Sequence, residues 1–303
     1  VLHIATFKAN EIDATVDAIN AKGFGLTFGL HTRIDDRVQQ IVERIHAGNT
    51  YVNRNQIGAI VGSQPFGGEG LSGTGPKAGG PNYVARFRRT ELPAGHGAPD
   101  APAVPAAEVA AAMADLDGAG WAARTDRVQT LRRALNGHAA LVRRAVNAAA
   151  AFDDGPFEFP GPTGESNRMT MPPKGTILCL GPDPDTALAQ AAPALVAGCP
   201  VLVVAPGAEA AVAPLAKAGA PVAGIDGTVD AETLGALPDL ITVCAAGTSD
   251  WTRGLRIALS RRDGRIVPLE TDVICPARFY AERHICIDTT AAGGNASLLA
   301  AVS

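Results

Sequence analysis

No apolar run in this 303-residue chain approaches the ~20 residues needed to cross a bilayer, which excludes a helical membrane span. Aromatic residues make up only 5%, and the five cysteines (Cys179, Cys199, Cys244, Cys275 and Cys286) form no C-x-x-C pair. Their spacing fits neither a zinc ribbon nor a dithiol redox motif. An odd, scattered set among apolar neighbours reads as reduced and buried, which suits the cytoplasm. Charge of one sign is also missing. A net charge of −4 gives no pull toward nucleic acid or an anionic membrane surface. No basic segment opens the chain, so no signal peptide is legible. With 47% hydrophobic residues, the chain can bury one or two substantial cores.

Glycine is abundant and locally dense. Gln64-Pro65-Phe66-Gly67-Gly68-Glu69-Gly70-Leu71-Ser72-Gly73-Thr74-Gly75-Pro76-Lys77-Ala78-Gly79-Gly80-Pro81 follows an apolar run. Such backbone adopts left-handed conformations or approaches a ligand closely, and its bare N–H groups suit a carboxylate or phosphate. Generic motifs fit poorly. Gly68 to Gly73 spells G-x-G-x-x-G, but Pro65 before it and Pro76 after it leave no strand–turn–helix context. Pro76 also stands where a Walker lysine belongs, and Thr74 breaks a nucleophile elbow. A Gly-rich turn with no ligand is the alternative.

The order of elements is α/β. Val1 to Phe7 reads as a strand, and Asn10 as the cap of a helix with Ile12, Val16 and Ile19 on one face. Leu26 to His31 is a second strand. A helix opened by Asp35 and Asp36 places Ile34, Val38, Ile41 and Ile45 together and ends by Gly48. Thr50 to Asn53 and Tyr83 to Thr90 are further strands. The stretch 92–105, with Pro93, Pro99, Pro102 and Pro105 and no periodicity, reads as a linker in which His96 is solvated. From Ala106 a second unit begins, helical between Trp121 and Ala151, then a loop from Asp153 to Met171. After it come strand 176–180, helix 186–197, strand 201–204, helix 208–218 and strands at 221–225, 240–244 and 265–269. This spacing predicts a parallel, doubly wound sheet.

Tyr51-Val52-Asn53-Arg54-Asn55-Gln56, then Gln64-Pro65-Phe66-Gly67-Gly68 and Leu71-Ser72-Gly73-Thr74, resemble the closing section of an aldehyde dehydrogenase catalytic domain. Gly75 to Pro81 and Gly23 to Asp35 resemble more narrowly the glutamate-semialdehyde (pyrroline-5-carboxylate) dehydrogenases. Above all they resemble the bifunctional bacterial proline-utilisation family, in which proline is oxidised on FAD and the semialdehyde product on NAD. The resemblance covers residues 1 to about 90. It implies that Gly79 and Gly80 grip the substrate's α-carboxylate, that Phe87 packs on its aliphatic part and that Phe66 lines the aldehyde pocket. Phe66 and Phe87 can also be read as plain core aromatics. Lys77 reads as a solvated surface lysine, and Ser72 as a partner for loop amides.

Such a dehydrogenase needs a cysteine thiolate and a dinucleotide fold. The first cysteine, Cys179, lies beyond the matching section. The resemblance therefore implies a C-terminal piece of a longer polypeptide, inactive alone, whose proline dehydrogenase and NAD-binding parts lie upstream. The family further implies a cytoplasmic homo-oligomer, with possible peripheral membrane association at full length.

Residues 106–281 resemble the amino-terminal, cofactor-binding half of the same superfamily, in Trp121, Arg124, Arg127, Leu131 and Arg132, in 174–182 and in 192–206. Ala205 stands where that family places a ribose-binding lysine, and Cys244-Ala245-Ala246-Gly247 replaces its phosphate-side segment. Glu270 falls at the general-base position without the following glycines and reads as structural. This unit is expected to be a non-catalytic, degenerate dehydrogenase-like domain with no tight NAD site. Residues 282–303 resemble the family's closing motif, and alternating Ile285 and Ile287 predict an edge strand that docks. A non-catalytic lid or assembly module is the second reading of the whole.

Overall fold

The computed structural model describes residues 2–56, 59–87, 97–247 and 249–290. In chain order the first elements are α1 (Ile12–Asn20), β1 (Phe24–Gly25), β2 (Thr27–Leu30), α2 (Asp35–Arg44), β3 (Asn49–Val52) and β4 (Glu69–Gly70). Four helices follow: α3 (Ala106–Ala114), α4 (Ala119–Ala122), α5 (Arg127–Ala134) and α6 (Ala140–Ala150). A hairpin of β5 (Phe157–Phe159) and β6 (Glu165–Thr170) leads to β7 (Ile177–Cys179), α7 (Pro184–Ala197), β8 (Val201–Val204), α8 (Ala208–Lys217) and β9 (Val222–Ile225). The rest is α9 (Ala231–Ala236), β10 (Thr242–Cys244), α10 (Asp250–Ser260), β11 (Leu269–Glu270) and β12 (Arg283–Asp288).

The chain forms two compact units. The first takes the described residues within 1–88, 155–171 and 281–303; the second takes those within 89–154 and 172–280. The boundaries expected at 106 and 281 treat the second unit as contiguous. Its span is instead interrupted by 155–171, which join the first unit.

In the first unit a mixed sheet has the order β2-β3-β12-β6-β5, parallel across β2, β3 and β12 and antiparallel from β12 through β6 to β5. Val16 of α1, Ile41 of α2, Ile45 and Ala47 bury together with Ile12, Phe28 and Leu30, as the helical spacing requires. Ile19 and Ile34 of the expected faces remain exposed. Asn10 does not cap α1. It lies in a preceding 3-10 turn, Ala9–Glu11, and the position before α1 is Glu11. Gly48 lies past the end of α2, where a Cβ would stand 1.9 Å from the Gly67 carbonyl oxygen.

Four expectations need correction. Residues 2–7 form no strand, because among the described residues they find no sheet partner and Leu2, Ile4 and Phe7 stay exposed. Val84–Phe87 is a 3-10 helix rather than part of a strand; residues 88–90 lie outside the described residues. The segment expected as a loop, 153–171, holds β5 and β6, with Glu165 to Thr170 pairing fully with Asp288 to Arg283. Finally, β12 is a central strand, not an edge, since β3 and β6 flank it. Residues 291–303 lie outside the described residues.

In the second unit the sheet order is β11-β10-β7-β8-β9, with every pairing parallel, as the strand–helix spacing predicts. α7 is alanine-rich and buried nearly all round, which suits a central layer. Its start is written locally: Asp183 accepts from the Thr186 N–H at 3.0 Å, and Pro184 occupies a first-turn position. Its end is Gly198 at φ +101°. Trp121 Nε1 donates to Leu195 O at 2.7 Å and Arg127 Nε to Val196 O at 2.8 Å, satisfying carbonyls that the helix leaves open. Leu178, Leu180, Leu202, Val204, Val243 and Leu255 lie in the main apolar cluster, which also takes in Val104. Val104 corrects the linker expectation. Its N–H donates to Thr228 O, and Thr228 N–H donates to Pro102 O, both at 2.9 Å, so the end of that stretch is docked. Residues 92–96, His96 included, lie outside the described residues.

Candidate functional site

The Gly-rich stretch of the first unit is held by a set of polar side chains rising from the sheet. Asn49 of β3, fully buried, donates through Nδ2 to Pro65 O at 2.8 Å. Its Oδ1 accepts from Gly67 N–H at 3.2 Å and from Lys77 Nζ at 2.8 Å. Lys77 also donates to Gly67 O. Only 1% of Lys77 is exposed, so it is not the solvated lysine that the sequence suggested. The Gly67 carbonyl and the Asn49 amide side chain replace water around it. Burial pulls its pKa down to about 7, against the pull of Glu282 and Glu69.

Further pairings close the stretch. β1 and β4 pair Phe24 with Gly70 and Gly25 with Glu69. Ser72 Oγ accepts from Gly25 N–H at 3.1 Å, the loop-amide role expected of it. Phe66 and Ala78 exchange both backbone hydrogen bonds, at 3.0 and 2.8 Å. Glu282, just before β12, accepts from Lys77 N–H and, at 2.8 Å, from Asn82 Nδ2. Arg283 grips Glu69 with Nε at 2.9 Å and Nη2 at 3.2 Å, a fork geometry of the stronger kind.

The four predicted substrate residues fall at distinct places. Gly79 is exposed at φ +73°, a Cβ there would meet nothing within 4 Å, and its N–H has no partner among the described residues. Gly80 is buried, and its N–H donates to Lys77 O at 3.1 Å. Phe66 is half-buried, with its backbone pinned to Ala78. Phe87 is 73% exposed and meets Tyr83 edge-on, with ring centroids 5.2 Å apart. Phe87 is therefore not a core aromatic of this unit.

Sequence reasoning missed the polar layer around β12. In register, His284 faces Asn49 and Met169, and Cys286 faces Tyr51 and Asn167. Arg54 pairs with Glu165, donates to Cys286 Sγ at 2.9 Å, and lies 5.6 Å over the Tyr51 ring. Gln64 Nε2 donates to Glu165 at 3.0 Å, and Asn167 Nδ2 does so at 2.8 Å. Neither ring nitrogen of His284 has a hydrogen-bond partner among the described residues. Burial, and then the charge of Lys77, lower its pKa to about 4. The apolar Ile285 and Ile287 drew attention, yet the buried side of the strand carries His284 and Cys286. A period-2 pattern identifies two faces but not which one is inward.

In a doubly wound sheet a dinucleotide lies where the strand order reverses, which in the second unit is between β7 and β10. Gly181 N–H donates to Gln190 Oε1 at 3.1 Å. Ala245 N–H donates to Glu270 O, Ala246 N–H to Gly181 O and Gly247 N–H to Thr271 O, at 3.0, 3.0 and 2.9 Å. Asp183 fills the start of α7 with a carboxylate. These four amides are committed to protein acceptors, and Ala205 is buried and uncharged. Glu270 pairs with Arg278 at 3.2 Å. The five cysteines are free, four of them buried and Cys275 half-buried. Among the described residues no group of three or more His, Cys, Asp or Glu could hold a metal ion, and no helix is long and apolar enough to cross a membrane.

Residues 1–92 match the aldehyde dehydrogenase family. The bifunctional protein PutA of Escherichia coli (strain K12) is 38% identical over 317 residues, a match covering 99% of this chain and 22% of that protein. The 1-pyrroline-5-carboxylate dehydrogenase 1 of Halalkalibacterium halodurans is 46% identical over 82 residues, covering 27% of this chain and 16% of that protein. Among solved structures, proline utilization A from Corynebacterium freiburgense shares the fold, with TM-score 0.50 and 20% identity, covering 92% of this chain and 24% of that one. The chain spans about a fifth of the length of the PutA proteins it matches. Its opening section thus matches aldehyde dehydrogenases, and nearly the whole chain is similar to the corresponding portion of the bifunctional PutA proteins.

Proposed function

We propose that this chain is the carboxy-terminal part of a bifunctional proline-catabolic enzyme, and that it supplies the carboxylate anchor for oxidation of L-glutamate γ-semialdehyde to glutamate with NAD. The observation that carries this reading is Gly79: a left-handed, exposed glycine with an uncommitted N–H, on a stretch braced from beneath by Asn49 and Lys77. An amino-acid aldehyde presents a carboxylate remote from its reacting carbon, and holding that end orients the aldehyde. Gly79 can donate at once. Gly80 completes a two-amide grip when its N–H leaves the Lys77 carbonyl. Phe87, open to solvent two turns on, offers an apolar wall for the substrate's methylenes, and Phe66 lines the aldehyde end.

The thiol, the water-activating carboxylate and the NAD fold belong, in this reading, to upstream parts of the same polypeptide, together with an FAD-dependent proline dehydrogenase. Exposed large apolar side chains concentrate in the first unit, Val61 at 95% among them, as expected of a surface that other parts cover. The 106–281 span is read as a degenerate dehydrogenase-like domain, and the whole as a cytoplasmic homo-oligomer, peripheral to the membrane at most.

In the complete polypeptide, Gly80→Val should raise KM for the semialdehyde at least tenfold, and unchanged kinetics remove the anchor. This chain alone, given NAD and semialdehyde, should form no NADH. A second reading, a non-catalytic covering module, is favoured by β12 and the β5–β6 hairpin completing the first unit's sheet; the two are compatible at full length.

A further inference from the structure

We propose that Lys77 is the positioning residue of the Gly79–Gly80 turn, a buried brace that sets where the turn's amides point and thereby selects aldehydes bearing an acid end. The inference rests on the anchor reading above. Three groups of this one residue are committed to three separate parts of the first unit. Its Nζ donates to Asn49 Oδ1 at 2.8 Å and to Gly67 O, tying it to β3 and to the first half of the glycine stretch. Its backbone N–H donates to Glu282 at the entry to β12. Its carbonyl accepts from Gly80 N–H at 3.1 Å, which closes the turn until a substrate carboxylate takes that N–H.

The pocket is built to this side chain. A Cβ at Gly48 would stand 2.8 Å from Lys77 Nζ and 1.9 Å from Gly67 O, so residue 48 must be glycine for the ammonium to reach its acceptors. A Cβ at Gly67 would stand 3.3 Å from Lys77 Cα. A buried amino group, charged or neutral, holds its place through the acceptors its N–H groups keep, and both of these are fixed by the backbone or by β3. Exchanging it for an apolar side chain strips Asn49 Oδ1 and Gly67 O of their shared donor. The segment 76–80 then keeps its backbone bonds, to Glu282, between Phe66 and Ala78 and within the turn at Gly80, but loses its tie to β3. Lys77 lies outside any reacting group, so its effect belongs in substrate recognition.

The test uses the complete polypeptide that carries this chain and compares kcat/KM for L-glutamate γ-semialdehyde with that for pentanal, an aldehyde of the same carbon count without the acid end. Lys77→Met should lower the semialdehyde-to-pentanal ratio at least tenfold, with the loss in KM for the semialdehyde rather than in kcat. Lys77→Gln keeps N–H donors for Asn49 and Gly67 and should lose roughly threefold. It also decides the matter by the same ratio if Lys77→Met yields no folded enzyme. A ratio unchanged by the Lys77 variants but collapsed by Gly80→Val overturns the Lys77 assignment and leaves the anchor standing. A ratio unchanged by all of them overturns the anchor as well. Equal losses on both aldehydes mean that Lys77 is merely structural, which also overturns the proposal.

Discussion

The glycine stretch of the first unit and the strand-end crevice of the second differ in where their backbone amides go. Both place glycines and exposed-looking N–H groups beside a sheet. In the second unit Gly181, Ala245, Ala246 and Gly247 all donate to protein acceptors, and Asp183 seats a carboxylate at the start of α7. In the first unit the side chains of Asn49 and Lys77 serve the stretch from below, leaving Gly79 N–H uncommitted. An amide can bind a ligand only if the fold has not already satisfied it. Glycine content therefore says where a ligand could approach, and the hydrogen-bond accounting says whether it can be held.

The comparison is broken most severely at Gly48. Gly48→Ala places a Cβ 1.9 Å from Gly67 O and should cost about 3 kcal/mol, read by urea unfolding of the chain. A loss under about 1 kcal/mol means that the glycine stretch yields freely and that its bracing is weak.

Acidity sharpens the contrast next. Lys77 titrates at about 7 in the fold against 10.5 for a free lysine. The unfolded chain therefore holds the extra proton between those values, and stability rises with pH across that window. Its contribution is complete above 10.5 and is lost as pH falls through about 7. Glu69, Glu282 and His284 are the charged or titratable neighbours that feel it. His284, lowered from 6.5 to about 4, contributes stability above 6.5 that is lost as pH falls through 4. Melting temperature followed against pH should flatten between 7 and 10.5 in Lys77→Met, and between 6.5 and 4 in His284→Leu, relative to the parent. Parallel curves would show that neither group is buried in its uncharged form.

The smallest expected effect lies in the crevice. Asp183→Ala removes the cap of α7 and should cost about 1 kcal/mol. It should confer no saturable NAD binding by calorimetry, because the remaining amides stay engaged. Appearance of a dinucleotide site in that variant would show that the carboxylate alone had blocked it.

Much of the architecture was legible because local chemistry and global fold agree. The helix expected at 186–197 is α7, begun two residues earlier by Pro184 behind the Asp183 cap, and the apolar run at 201–204 is β8 residue for residue. The helix faces of Val16 and of Val38, Ile41 and Ile45 follow from 3.6-residue spacing alone. The candidate substrate residues were legible only through family resemblance, since the spacing of glycines by itself left several motifs open. Lys77 was misjudged because charge predicts exposure on average, and burial is made tolerable by acceptors at Gly67 and at Asn49, the latter 28 positions earlier.

By itself, then, the sequence determined the alternation of helices and strands across 176–225 and the glycine stretch, because each is set by neighbours within a few residues. The tertiary structure alone decided that 155–171 and 283–288 join the sheet of the first unit, with β12 at its centre. It also decided which amides are spent and which are free. Strand pairing and amide satisfaction depend on partners more than two hundred positions away, and no local periodicity carries that information.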